Sequence, residues 1–256
     1  VDLLEDSSNL NTAWHPHDDI LVYTLNSLRP CIFYDYEKKK IIDSISDGTV
    51  SGYSNIEFSY DGKYTAYINF SSNRLIIYEN DAMKKVVEID SVYSSSGSLK
   101  WHPSKYELIY IDPVLYDIIK VKPFENKSET FIEGFNNIHN VIQWDPEGKI
   151  LAASANKSNT LEFYKTNEWL SSKIYQNDFF INDIKWSPKG GVIAFCGLSK
   201  FMYLLDHENL EKINSWYKIP GTHNSLDWDE KGQRIVSLNS QQALTVYNAE
   251  ENEVEE

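Results

Sequence analysis

Trp144-Asp145-Pro146-Glu147-Gly148 is followed, 42 residues on, by Trp186-Ser187-Pro188-Lys189-Gly190. Both stretches run aromatic, variable residue, Pro, variable residue, Gly. Pro presets the backbone torsion and Gly accepts the left-handed position, so each reads as the tight turn of a hairpin. The aromatic that opens each turn ends a short apolar run and belongs to a longer series: Trp14, Phe58, Trp101, Trp144, Trp186 and Trp228, at spacings of 44, 43, 43, 42 and 42 residues. Phe58 to Gly62 and Trp228 to Gly232 keep the Gly of the turn, while Trp14 and Trp101 keep the Pro. Five of the seven tryptophans fall on this series, so random composition does not account for it. A period in the low forties means that one supersecondary unit is repeated.

The strands on either side of the turn follow from the same alignment. After it comes the most apolar run of each unit: Ile20 to Tyr23, Ala66 to Ile68, Leu108 to Ile111, Ile150 to Ala153, Val192 to Cys196 and Ile235 to Leu238. Runs this continuous fit strands buried on both faces. A third strand ends at Tyr34-Asp35, Tyr78-Glu79, Val121-Lys122, Tyr164-Lys165, Leu205-Asp206 or Tyr247-Asn248, and a more polar fourth strand follows in the first five units. The sixth unit runs out at about Asn248, while Val1 to Glu5 offers a strand with no unit of its own. The expected fold is therefore all-β: a six-bladed β-propeller of four-stranded antiparallel blades, with the N-terminal strand completing the last blade. One domain would span residues 1–249, and residues 250–256, which hold five glutamates, would be an acidic disordered tail.

On these residues the chain resembles the WD-repeat (WD40-like) propellers over essentially its whole length. The likeness rests on the aromatic-x-Pro-x-Gly turn, the apolar second strand and the aromatic-acidic pair closing the third. That pair survives as Tyr34-Asp35 and Tyr78-Glu79, with Leu205-Asp206 as a weaker form. The family's Gly-His dipeptide before the first strand is missing, as is the Asp of the turn between second and third strands. The resemblance implies a divergent member, and it transfers fold rather than catalytic or binding residues.

Composition narrows function by exclusion. A formal charge of −14 opposes general nucleic-acid binding, which needs a basic surface. No apolar run approaches the ~20 residues of a membrane-spanning helix. Cys31 and Cys196 each sit in an apolar run, as reduced thiols do, and the expected location is intracellular, nuclear or cytoplasmic. No phosphate-binding Gly-Lys-Ser/Thr loop, Cys-x-x-Cys pair or Gly-x-Ser-x-Gly elbow occurs. His15 and His17 could hold a metal as a pair but lack a spaced third ligand, and His102 occupies the equivalent turn in the third unit. The channel-facing starts of the first strands, Asn9, Tyr53, Ser96, His139, Ile181 and His223, contain no acid cluster to hold a cation. The expectation is no catalytic residue, no cofactor, no metal and no small-molecule substrate.

Binding is the better fit, because repeats of this kind present two rims of loops on a rigid frame. One rim carries Tyr53, His139, Phe179, Phe180 and His223 before the first strands, joined by Tyr116 and Arg29 from the turns between second and third strands. Aromatics with Arg are the composition of interface hot spots, although Phe179 or Phe180 could equally pack against a neighbouring blade. The opposite rim carries Lys38, Lys39, Lys40, Lys84 and Lys85 as a basic patch, and Trp169 as a second anchor. The reading is a non-enzymatic scaffold subunit of a multiprotein complex, docking a peptide or helix, with partners of basic or amphipathic character. A hydrolase with a central-channel site and a nucleic-acid-associated factor using the lysine patch are the alternatives.

Overall fold

The computed structural model describes residues 11–24, 31–45, 56–69, 72–93, 99–112, 114, 117–132, 139–155, 159–167, 171–216, 222–241, 243–250 and 253–255. They form six four-stranded antiparallel sheets, each a meander of successive strands, the blade of a β-propeller. Blade one is β1 (Asn11–Trp14), β2 (Ile20–Thr24), β3 (Cys31–Asp35) and β4 (Lys40–Ile45). Blade two is β5 (Glu57–Phe58), β6 (Tyr64–Asn69), β7 (Arg74–Glu79) and β8 (Lys84–Asp90). Blade three is β9 (Leu99–Trp101), β10 (Leu108–Ile111), β11 (Ile118–Lys122) and β12 (Lys127–Ile132). Blade four is β13 (His139–Trp144), β14 (Ile150–Ala155), β15 (Thr160–Lys165) and β16 (Ser171–Gln176). Blade five is β17 (Ile181–Trp186), β18 (Val192–Gly197), β19 (Met202–Asp206) and β20 (Lys212–Trp216). Blade six is β21 (His223–Trp228), β22 (Arg234–Asn239), β23 (Leu244–Asn248) and β24 (Glu253–Glu255).

Blade six corrects one expectation. Its fourth strand is β24, with Asn248 opposite Glu253, Tyr247 opposite Val254 and Val246 opposite Glu255. The acidic stretch expected to be a disordered tail thus supplies the place assigned to the N-terminal strand, and Val1 to Glu5 lies outside the described residues. The physical reason is that an outer edge strand is held by its backbone ladder and needs little apolar side chain.

The chain divides into two compact units, Val1–Gly134 with blades one to three and Phe135–Glu256 with blades four to six. In the first unit, Val22, Cys31 and Phe33 of blade one meet Ile56, Phe58, Tyr67 and Ile76 of blade two. The other face of blade two, Ala66, Ile68, Leu75 and Ile77, meets Leu99, Trp101, Leu108 and Tyr110 of blade three. Both faces of β6 and β7 are buried, which is why their sequence is continuously apolar rather than alternating. In the second unit, Leu161 and Phe163 of blade four meet Ile184, Trp186 and Phe195 of blade five. Ala194, Met202 and Leu204, on the far face of blade five, meet Leu226, Ile235 and Tyr247 of blade six. Each fully buried Leu, Ile or Phe contributes about 1.5–3 kcal/mol, so the spacing of these positions sets how the blades stack.

The recurrent aromatics fix register between neighbours. The indole N–H of Trp101 donates to the Glu57 carbonyl (3.2 Å), that of Trp186 to Gln143 (3.3 Å) and that of Trp228 to Lys185 (3.1 Å). In each case the acceptor is the residue just before the preceding blade's aromatic. The acceptor residues add ion pairs: Glu57 bonds Lys100, and Lys185 lies 3.9 Å from Asp227. Trp14 is placed differently. It is 55% exposed and meets Tyr36 edge-on at 5.8 Å.

A second bond set ties two turns together within a blade. In blades one, two, four, five and six, the turn after the third strand donates an N–H to the turn after the first: Tyr36 to Asp19, Asn80 to Lys63, Thr166 to Lys149, His207 to Gly191 and Ala249 to Gln233. Blade three has Pro123 at this position, which has no N–H to give. Its chain instead makes a 3-10 turn, Pro123–Glu125, closed by a left-handed Asn126. On the opposite rim, Leu198 donates to the Phe180 carbonyl and Ser240 to that of Thr222, joining each second-to-third-strand turn to the segment before the first strand.

Candidate interaction surfaces

Phe179 and Phe180 lead into β17 on this second rim. Phe179 is half-buried and stacks on Tyr203 (5.1 Å, 25°) and Phe195 (6.2 Å, 19°), which stack on each other at 5.2 Å. Three parallel rings make Phe179 part of blade five's own packing. The Phe180 carbonyl carries the Leu198 bond described above. His139 and His223 are the first residues of β13 and β21, opposite Ala155 and Asn239, and a register shift follows each. Ile181 holds the same place in β17, with the same shift, and is buried. Such bulges re-aim the strand start relative to the ladder. Arg29, Tyr53, Tyr116 and Trp169, with the side chains of His139 and His223, lie outside the described residues.

Lys38, Lys39, Lys40, Lys84 and Lys85 of blades one and two are distributed among carboxylates. Lys38 Nζ donates to Asp35 Oδ2 at 2.7 Å, and that bond holds the Asp35 carboxyl below the ordinary range and the Lys38 ammonium above its own. Lys39 takes a left-handed turn position, and Lys40 faces Asp35 across the ladder. Lys84 faces Glu79, and Lys85 bonds Glu88, which also receives Arg74 at 2.7 Å. The five lysines are exposed, but their field is largely cancelled locally.

The turn histidines have structural partners. His15 Nδ1 accepts the Asp18 amide at 3.0 Å, and Nε2 lies 3.1 Å from the Gly62 carbonyl of the next blade. His102 is buried, with Nδ1 accepting the Ser104 amide at 3.2 Å. Among the described residues no group of three His, Cys, Asp or Glu is placed to hold a metal ion. No helix is long and apolar enough to cross a membrane.

Exposed apolar side chains that the sequence did not single out gather on the second rim of blades five and six. Leu198 is 60% exposed and Leu244 66%, with Phe201 and Leu238 also exposed. Leu238 and Leu244 face each other across the β22–β23 ladder, at the mouth of that blade's turn. Leu198 and Phe201 flank the corresponding turn of blade five. No periodic constraint marks these exposed positions.

The blades define an all-β protein of the propeller-blade class. No protein-family model matches the sequence, and no curated protein is similar to it.

Proposed function

We propose that this chain is a non-enzymatic interaction scaffold, a divergent WD-repeat-type propeller that serves as one subunit of a larger intracellular assembly in the nucleus or cytoplasm. It holds an apolar or amphipathic partner segment on the rim of blades five and six. The observation that carries this reading is the group Leu198, Phe201, Leu238 and Leu244, exposed at the β18–β19 and β22–β23 ends of blades five and six. Large exposed apolar side chains grouped on one surface are the signature of a site that another protein covers. Anchors on a rigid frame lose little conformational freedom on binding, so more of the contact energy appears as affinity.

Affinity purification of the intact protein, followed by identification of stoichiometric partners, tests the reading. A Leu198→Asp/Leu244→Asp double variant is expected to keep its thermal midpoint and lose the partner by at least about tenfold in affinity, as loss of a hot-spot pair would. A partner retained in full by that variant moves the site elsewhere. Turnover of a substrate without any stoichiometric partner overturns the scaffold reading.

A further inference from the structure

The outer half of blade three carries a groove of 490 Å3 lined by Lys120, Lys122, Asn126, Lys127, Ser128 and Glu129. Five of these six side chains bring hydrogen-bond donors, three of them cationic, against one acid. With Glu107 and Glu125 beside it, the cluster sets three lysines against three carboxylates, near neutrality on a chain of net charge −14. The strand register creates it. Lys120 faces Glu129 across the β11–β12 ladder, and Lys122 faces Lys127. Like charges directly opposite are destabilising and call for anions nearby. Glu107 lies 3.5 Å from Lys122, and Glu125 lies 3.2 Å from Lys127. The second of these pairs is largely solvated, so it is weak and exchangeable.

Glu129 shows what the cluster accepts. It bonds Lys120, whose ammonium also lies over the Phe131 ring at 5.1 Å. The Lys120 hydrogen bond, then the charges of Lys120, Lys122 and Lys127, hold the Glu129 carboxyl below its ordinary range. One carboxylate therefore feels all three lysines, while its side chain remains 61% exposed and able to swing out. The turn beside it is the one that Pro123 diverts from the pattern of the other blades, and the left-handed Asn126 brings its amide to the groove.

We propose that this groove docks an acidic segment of a partner protein, and that Glu129 is its resident stand-in, a carboxylate of the chain itself that an incoming carboxylate displaces. The occupant follows from the donor-rich lining and from the exposed, exchangeable carboxylate already seated there. The proposal rests on the scaffold reading only in that the occupant is a protein segment. It uses a surface remote in sequence from Leu198 and Leu244, so either can fail alone.

Fluorescein-labelled hexaglutamate titrated into the full chain, followed by anisotropy, is the test. Saturable binding that weakens as salt is raised is expected. Glu129→Gln removes the competitor and tightens binding roughly 3- to 10-fold, whereas Lys122→Gln and Lys127→Gln each weaken it by a similar factor. All three side chains lie at the surface, and unchanged thermal midpoints establish that the variants fold. Absence of binding, equal binding by wild type and a Lys122→Gln/Lys127→Gln variant, or no gain from Glu129→Gln overturns the proposal. A single-stranded oligonucleotide of matched charge that displaces the peptide in a lysine-dependent manner also overturns it, in favour of a nucleic-acid site. Persistence of hexaglutamate binding in Leu198→Asp/Leu244→Asp separates this site from the rim of blades five and six.

Discussion

The residue after each recurrent aromatic is His15, Ser59, His102, Asp145, Ser187 or Asp229, and each uses its side chain as an acceptor for the turn that follows. Ser59 Oγ accepts the Tyr64 amide (2.9 Å), Asp145 Oδ1 the Ile150 amide (2.7 Å), and Asp229 Oδ1 the amides of Gln233 (2.7 Å) and Arg234 (2.9 Å). A short side chain that satisfies turn amides competes well with water, so Asp229→Ala is expected to cost about 1–2 kcal/mol, read as a lower urea midpoint with unchanged slope. Three carboxyls also link stability to pH. Lys38 lowers the carboxyl of Asp35. Burial raises those of Asp61 and Asp229 but is outweighed, at Asp61 by hydrogen bonds from Tyr106 and Ser59, and at Asp229 by the amides of Arg234 and Gln233. Because the folded values lie below the unfolded one of about 3.9, their contribution is present above that pH and is lost as pH falls through the folded values. Urea midpoints should therefore hold from pH 7 to about 5 and drop below pH 4, less steeply in Asp229→Asn. This acceptor pattern was legible in the sequence, where every variable residue after the aromatic is His, Ser or Asp. The same histidines invited a metal reading because spacing alone does not tell a ligand from a turn acceptor.

At the scale of the hairpin and the strand, the glycines of the first turn separate two costs. Gly62 sits at φ +72°, and a Cβ there would meet His15 Nε2 at 1.9 Å; Gly190 sits at φ +74° with open space around it. Gly190→Ala should then cost only the left-handed backbone penalty, about 1 kcal/mol, and Gly62→Ala that penalty plus displacement of the His15 ring, in all about 2–3 kcal/mol. Equal thermal shifts for the two would mean that the His15 contact is soft. Outer strands carry a different device. The third-to-fourth-strand ladder shifts register at the same place in blades one, two, four and five, leaving Ile42, Val86, Ser172 and Ile213 as the extra residues. A bulge on an edge strand twists it away from pairing with another chain. Removing residues 253–256 deletes β24 and exposes β23 as a flat edge, so the truncated protein is expected to melt lower and to self-associate, as sedimentation would show. This strand was not legible, because the charges of Glu253 and Glu255 read as a tail while its ladder is made by backbone alone.

For the molecule as a whole, most of the architecture was legible and most of the function was not, for one physical reason. Leu108, Ile193 and Ile235, each seven residues after its blade's recurrent aromatic, must repeat because a neighbouring blade covers each, and covering imposes a period. Leu198 and Leu244 are exposed and Lys122 pairs only within its own blade, so nothing in their spacing sets them apart from ordinary surface. The buried thiols offer a check on each unit separately. Cys31 lies in the first unit's core and Cys196 in the second's, neither is in a disulfide, and burial pushes the Cys196 thiol well above its ordinary pKa. Each should react with a thiol reagent at least about 100-fold more slowly than in denaturant, because access requires its own unit to open. Comparing Cys31→Ser with Cys196→Ser reads the two openings independently. Fast labelling of either native protein would mean that its unit breathes on its own.

Trp14 gives the native protein an optical handle. Its indole faces solvent while those of Trp101, Trp144 and Trp186 are buried, so its emission lies to the red and is open to iodide. The red emission lost in a Trp14→Phe variant is the part that reports on blade one. A ligand that covers Trp14 and Tyr36 would announce itself as a blue shift and a loss of quenching.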